Sequence, residues 1–310
     1  MQFIKISPIF YMGNKRRLIG KGLIEFFPKN INNFYEPFAG SCIVSMNVLA
    51  KNYFINDIMP QLYDLYSMFK NYTADKIISH INNRIDAFNL PRERTKRNVY
   101  LDLEKINEYK ENYIRFRNFY NQDRNIIDLY VLMFYSFSQS LRFNSNNEFN
   151  MPFGCDCYTL EHNLYINEGV SFFSKPNIHL YNMQFDTFLN QFNINKNDFI
   201  YFDPPYFGSS AVYNENREGN PVWSELDEMK FRQLCENLNQ KNIKFAISNI
   251  YKNKDFDNVS LKNWVEQNNF YVYHFNNFSY IFKGIRSDTD EVLITNYKTG
   301  KTNSISHKLF

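Results

Sequence analysis

The chain has 310 residues and a formal net charge of +3, with 44% hydrophobic and 22% charged content. These are the proportions of a globular protein with ample core for one large or two unequal domains. The charge is too small to mark a nucleic-acid binder by itself, although it permits a local basic face. No apolar run approaches membrane-spanning length and no signal peptide is recognisable, so a cytoplasmic protein that meets no membrane is expected. Cys42, Cys155, Cys157 and Cys235 show neither a disulfide framework nor paired zinc spacing, and free thiols are expected.

Near the start, Gly13 and Asn14 tolerate unusual backbone angles and lead into Lys15-Arg16-Arg17. A helix is predicted from Lys15 to Phe27, stopped by Pro28. Cations are unfavourable at a helix start, so something else wants positive charge there. A strand through Phe34 and Tyr35 ends in the acid Glu36, followed by the small-residue turn Pro37-Phe38-Ala39-Gly40-Ser41 and a helix predicted from Cys42 to Lys51. This is the first half of a nucleotide-binding βαβ unit, without the full G-x-G-x-x-G spacing. A second strand, Tyr53 to Asn56, ends at Asp57. That acid lies about 20 residues past the first turn, where such folds hold a ribose; capping the next helix is its alternative role.

From Pro60 the apolar spacing is helical through Leu62, Leu65, Tyr66 and Phe69, then Ile77, Ile78, Ile81 and Ile85. Residues 84–124 mix both signs of charge, as a solvated helix face does. A buried helix is predicted from Ile126 to about Phe137. Within Gln139 to Gly154, Asn146-Asn147 between two alternating runs reads as a hairpin. Its polar and basic side chains suit a DNA major groove, where Arg pairs best with guanine; an ordinary surface hairpin is the competing reading. A strand from Asn177 to Tyr181 leads to Gln184-Phe185-Asp186 and a helix to about Phe192.

The chain is organised around Asp198 to Tyr206. Phe199 to Phe202 is an apolar run suited to a strand buried on both faces. Pro204 and Pro205 then disfavour helix and remove two donors, so the chain leaves the sheet extended and stiff. Asp203 is thereby expected at a strand's carboxyl end, where open α/β sheets bind ligands. The Tyr206 ring can stack on a nucleobase, while a carboxylate and the Pro204 carbonyl accept from an exocyclic amine. Residues 207–224 read as a long lid-like loop. A helix from Glu225 to Gln240, a strand from Lys244 to Ser248, closing strands at Phe270 to Phe275 and Glu291 to Tyr297, and a frayed tail complete the chain.

These pieces, in this order, resemble the Dam-type DNA N6-adenine methyltransferases. The carriers are Tyr11-Met12-Gly13-Asn14-Lys15, Glu36-Pro37-Phe38-Ala39-Gly40, Asn56-Asp57-Ile58, residues Glu148 to Gly154, Asp203-Pro204-Pro205-Tyr206 and residues Glu291 to Tyr297. The resemblance implies a doubly wound Rossmann-like α/β sheet with an inserted, mainly helical target-recognition domain carrying the hairpin. Residues 1–59 and 165–310 would form the catalytic domain and residues 60–164 the recognition domain. It implies S-adenosylmethionine as cofactor, held by Tyr11, Lys15, Glu36, Phe38, Gly40, Asp57, Phe185 and Asp203. Gln184 stands where the family commonly has an acid before the aromatic residue, and Ser41-Cys42 where a further glycine is frequent.

By the same resemblance Asp203, Pro204 and Tyr206 are catalytic and no metal is required. Arg142 reads a guanine, Pro152 touches a thymine methyl in a GATC-like site, and Asn144 and Asn150 face DNA from the same hairpin. The expected partners are double-stranded DNA and a cognate restriction endonuclease, with the enzyme itself a monomer. The rival readings are an RNA adenine or cytosine N4 methyltransferase, and a catalytically idle DNA-binding subunit. Intact Asp203 and Tyr206 speak against the idle subunit.

Overall fold

The structure is a computed structural model that describes residues 4–93, 103–154, 156–206, 223–253, 256–275, 278–282 and 285–301. In chain order the helices are α1 (Arg16–Gly20), α2 (Ile43–Asn47), α3 (Pro60–Asn71), α4 (Ala74–Ala87), α5 (Leu103–Asp123), α6 (Ile126–Tyr135), α7 (Glu161–Phe173), α8 (Phe185–Asn190), α9 (Glu225–Gln240) and α10 (Val259–Gln267). The strands are β1 (Ile31–Glu36), β2 (Ala50–Asn56), β3 (Ile178–Tyr181), β4 (Phe199–Phe202), β5 (Lys244–Asn253), β6 (Phe256–Asp257), β7 (Tyr271–His274), β8 (Phe278–Phe282) and β9 (Ile285–Thr295).

The strands run in the order β3-β2-β1-β4-β5-β9-β7, with β6 on β5 and β8 on β9. β3 to β5 in this order are parallel, whereas β9 is antiparallel to both β5 and β7. Alternation along β4 sends Phe199 and Tyr201 into one hydrophobic core and Ile200 and Phe202 into the other. Side chains of α1 to α7 share the first core, and those of α8, α9 and α10 the second. The result is a sheet covered on both faces, the doubly wound arrangement the sequence predicts. β1 continues to β2 on one side while β4 pairs with β1 on the other, so a topological switch point lies between β1 and β4.

Several elements differ from expectation, each for a local reason. The predicted helix from Lys15 to Phe27 stops at Gly20; Gly22 takes a φ of +91°, and a 3-10 turn, Leu23–Phe26, follows. The helix predicted to run to Lys51 ends at Asn47, because Ala50 already pairs with Ile31 in the sheet. α7 has no counterpart in the sequence reading. Its buried stripe is His162, Ile166, Gly169, Phe172 and Phe173, in which a histidine and a glycine hide the helical period. The glycine is required by packing, since a Cβ at Gly169 would stand 2.5 Å from Pro8 Cγ. α7 runs through the expected 164/165 boundary, and its Phe173 ring stacks with Tyr66 and Phe69 of α3.

α6 is buried from Ile127 to its end at Tyr135 and is capped by Asn125, whose side chain accepts from Ile127 and Asp128. Asp128 is carried into the interior, where it meets His80 Nε2 at 2.6 Å and Arg84 Nε at 2.8 Å. The two partners come from α4, so this cluster ties α4 to α6. Cys42, Cys157 and Cys235 are buried, and Cys155 lies outside the described residues. No helix among the described residues is long and apolar enough to cross a membrane. The lid expected over residues 207–224 lies, except for its last two positions, outside the described residues, and so do residues 302–310 of the tail expected to fray after Tyr297.

Candidate active site at the switch point

A cavity opens at the carboxyl ends of β1 and β4. Tyr11, Lys15, Glu36, Phe38, Gly40 and Asp57 line it together with Asp203, Pro204 and Tyr206. Residues from the two ends of the chain thus share one wall, which is what the sheet's switch point requires.

The turn after β1 is drawn tight. Gly40 sits at φ +50° under the Tyr11 ring, and a Cβ there would stand 3.0 Å from Tyr11 Cδ1. The Gly40 carbonyl accepts the Tyr66 hydroxyl at 2.5 Å. The Asp57 carboxylate accepts from Gly40 N at 2.9 Å and Met59 N at 3.0 Å. It therefore fixes the turn and holds the amide of Met59, the residue that precedes α3, while also facing the cavity. Among the described residues no side chain caps α3 itself. Asn56 beside it donates to the Pro37 carbonyl at 2.9 Å and the Met183 carbonyl at 3.0 Å.

Glu36 is buried, and its Oε2 accepts from both the Ser45 amide and the Ser45 hydroxyl. Burial pushes its carboxyl up to about 8, against the pull of Ser45 and helped by Asp203 and Asp57. Burial likewise raises Asp57 to about 6, with the Met59 and Gly40 amides pulling the other way.

Lys15 Nζ lies 2.6 Å from Asp203 Oδ2, and Tyr206 donates its hydroxyl to Asp203 Oδ1 at 3.2 Å. Lys15 Nζ is also 5.3 Å from the Tyr206 ring centroid. The positive charge near the predicted helix start thus has its acid across the cavity, at the end of β4.

Phe185 is placed differently from the rest. It packs on Phe38 with ring centroids 5.3 Å apart and on Trp223 at 5.5 Å, and it does not itself line the cavity. Ser140, Leu141 and Trp223 line it without having been expected there. Ser140 and Leu141 carried a signal in hindsight, since they immediately precede Arg142. A lone Trp223 beside the α9 cap carried none.

The hairpin forms as predicted, held by the Phe143–Phe149 bridge and turning at Asn147 with φ +59°. Arg142 Nε donates to Asn150 Oδ1 at 2.7 Å, and its terminal nitrogen donates to the Asn150 carbonyl at 2.8 Å. Asn144 is engaged with Glu148 across the turn, its amide donating to Oε2 at 2.8 Å. Pro152 is exposed, and its carbonyl accepts from Phe137 N at 2.9 Å. Arg142, Asn144, Asn150 and Pro152 therefore share one hairpin, joined to the cavity wall through Leu141.

A doubly wound sheet with an acid-lined cavity at its switch point and an Asp-Pro-Pro-Tyr corner on one wall defines a Rossmann-like methyltransferase. The sequence model of the D12 class N6 adenine-specific DNA methyltransferases matches residues 11–281, and the chain belongs to that family. It is 34% identical to the modification methylase StsI of Streptococcus sanguinis over 99% of this chain and 45% of that protein. It is 30% identical to the type II methyltransferase M.FokI of Planomicrobium okeanokoites, over 94% of this chain and 43% of that one. With the DNA adenine methylase of Haemophilus influenzae it shares 25% identity over 83% of this chain and 87% of that protein. The chain thus spans less than half the length of the first two of these relatives.

Proposed function

We propose that the protein is a site-specific DNA methyltransferase that moves a methyl group from S-adenosylmethionine to the N6 amine of an adenine flipped out of duplex DNA. The observation that carries this reading is the shared wall. Asp203 and Tyr206 face the same cavity as Glu36 and Asp57.

The residues present suit that cofactor. Glu36 spends Oε2 on Ser45, leaving Oε1 for an ammonium, and Asp57 faces the cavity as an acceptor for ribose hydroxyls. A glycine at residue 40 lets the backbone approach closely, and Tyr11 and Phe38 offer flat apolar surface. When bound, S-adenosylmethionine supplies an electrophilic methyl on a sulfonium.

The chain's own contribution is positioning. Tyr206 stacks on the extruded base, worth roughly 1–3 kcal/mol. This offsets part of the unstacking cost of a few kcal/mol. Asp203 and the Pro204 carbonyl accept the two amine hydrogens, which turns the nitrogen lone pair toward the cavity for an in-line attack. The hairpin from Arg142 to Pro152 reads the duplex, with residues 60–164 as the recognition part and residues 1–59 and 165–310 as the catalytic part. The family's name supports adenine in DNA as the substrate, and the relatives' names support work beside a cognate restriction endonuclease. A GATC-like site is the target we assign.

Incorporation of tritiated methyl into duplex DNA and into RNA tests the substrate, and mapping of the modified adenines tests the site. Label in DNA adenine that disappears with Asp203→Ala, while cofactor binding is retained, is the expected result. Label in RNA alone, or full turnover by Asp203→Ala, overturns the reading.

A further inference from the structure

The Asp203 carboxylate stands in an environment hostile to its charge. Glu36 from β1, Glu291 from β9 and the Tyr201 hydroxyl on β4 all interact with it, and Asp57 acts in turn on Glu36. Burial raises its carboxyl above the ordinary aspartate value and Glu291 adds to the rise, whereas Lys15 first and then Tyr206 pull it back. Among the described residues its ion pair is with Lys15, a buried side chain from the opposite end of the chain. That ammonium is itself held in place. It donates to the Gly13 carbonyl at 2.8 Å as well as to Asp203, and the Tyr206 ring lies on its third side.

We propose that Lys15 is a positioning residue for the transfer step: its tethered ammonium keeps Asp203 ionised and oriented so that the carboxylate accepts from the substrate amine. The inference rests on the reading of Asp203 as that acceptor. A protonated Asp203 would offer a donor where an acceptor is needed, and the amine lone pair would not be turned toward the cavity. Lys15 thus acts through Asp203 and moves no proton itself.

The test is the pH profile of single-turnover methyl transfer at saturating cofactor, in wild type, Lys15→Met and Lys15→Arg, with cofactor affinity measured separately by equilibrium dialysis. Removing an opposite charge at this distance raises a carboxyl by about one to three pH units. Lys15→Met is therefore expected to move the acid limb upward by that interval, with the rate recovering at higher pH. Lys15→Arg, which keeps the charge, restores the limb most of the way to its wild-type position. A Lys15→Met enzyme slowed by the same factor at every pH overturns the proposal. Where Lys15→Met does not fold, Lys15→Gln, which retains a donor for the Gly13 carbonyl, carries the same comparison. Asp203→Asn separates the two failures. If it still transfers methyl at the wild-type rate, the role of Asp203 is wrong. If it is inactive while the Lys15→Met limb has not moved, only the role of Lys15 falls.

Discussion

Asp57 Oδ2 accepts the backbone N–H of Gly40 at 2.9 Å, tying the end of β2 to the turn that follows β1. One carboxylate thereby shapes the floor of the cavity and supplies part of its charge. Asp57→Ala should orphan the Gly40 and Met59 amides, each costing about 1–3 kcal/mol where no water replaces the acceptor. Urea unfolding should show that loss, and equilibrium dialysis should show S-adenosylmethionine affinity falling with it. Asp57→Asn, which keeps one oxygen acceptor, should lose less stability. Unchanged cofactor affinity in Asp57→Ala would remove Asp57 from the binding site.

Gly40→Ala should act from the other side of the same contact. An L-residue at φ +50° costs about 1–2 kcal/mol. Its methyl would also press on the Tyr11 ring. Melting temperature should drop and cofactor affinity should weaken, and Tyr11→Leu in the same chain should recover part of the stability by yielding space. A double variant no more stable than Gly40→Ala alone would place the whole cost in the backbone.

Glu36 sets a stability trend with pH. Its carboxyl rises from 4.5 to about 8 on folding, so the native state holds the proton more tightly than the unfolded chain does. Stability should therefore decline as pH rises from 4.5 to about 8 and level off above that window. Asp57 adds a smaller decline between 3.8 and about 6. Glu36→Gln, whose side-chain carbonyl still accepts from Ser45, should flatten the upper part of the slope. Above the window it should melt higher than wild type while binding S-adenosylmethionine more weakly, the exchange expected where a functional acid is buried. Parallel melting curves for the two proteins across that range would contradict the assignment.

Asn150 aligns Arg142, taking one bond on its side chain and one on its carbonyl. Asn150→Ala removes the side-chain bond and leaves the guanidinium more loosely held; the proposed role of Arg142 in reading a base then sets the expected effect. A well-made base contact is worth about 1–3 kcal/mol of discrimination. The variant should lose sequence selectivity by a factor within that interval, measured by competition between cognate and altered duplexes, while cofactor affinity stays at the wild-type value. Loss of cofactor affinity instead would mean that the hairpin supports the cavity and does not read DNA.

Much of the fold was legible because its signals are local. The apolar run before Asp203, the prolines that end it, the acid closing β1 and the Asn-Asn turn of the hairpin each declare themselves within a few residues. The misread elements are those where a neighbour decided. α2 is short because β2 has to begin at Ala50 to pair with Ile31, and α7 is obscured because Pro8 and Phe69 leave room only for a glycine at residue 169.

By itself, the sequence determined where the main strands and turns fall and which acids close β1, β2 and β4: backbone preference, apolar period and charge are properties of short segments. Only the tertiary structure decided which side chains meet. Lys15 faces Asp203, Arg142 is aligned by Asn150, and Phe185 packs behind Phe38 and off the cavity wall. These pairings depend on strand order and on the packing of two cores, and they are set by long-range burial that no window along the chain contains.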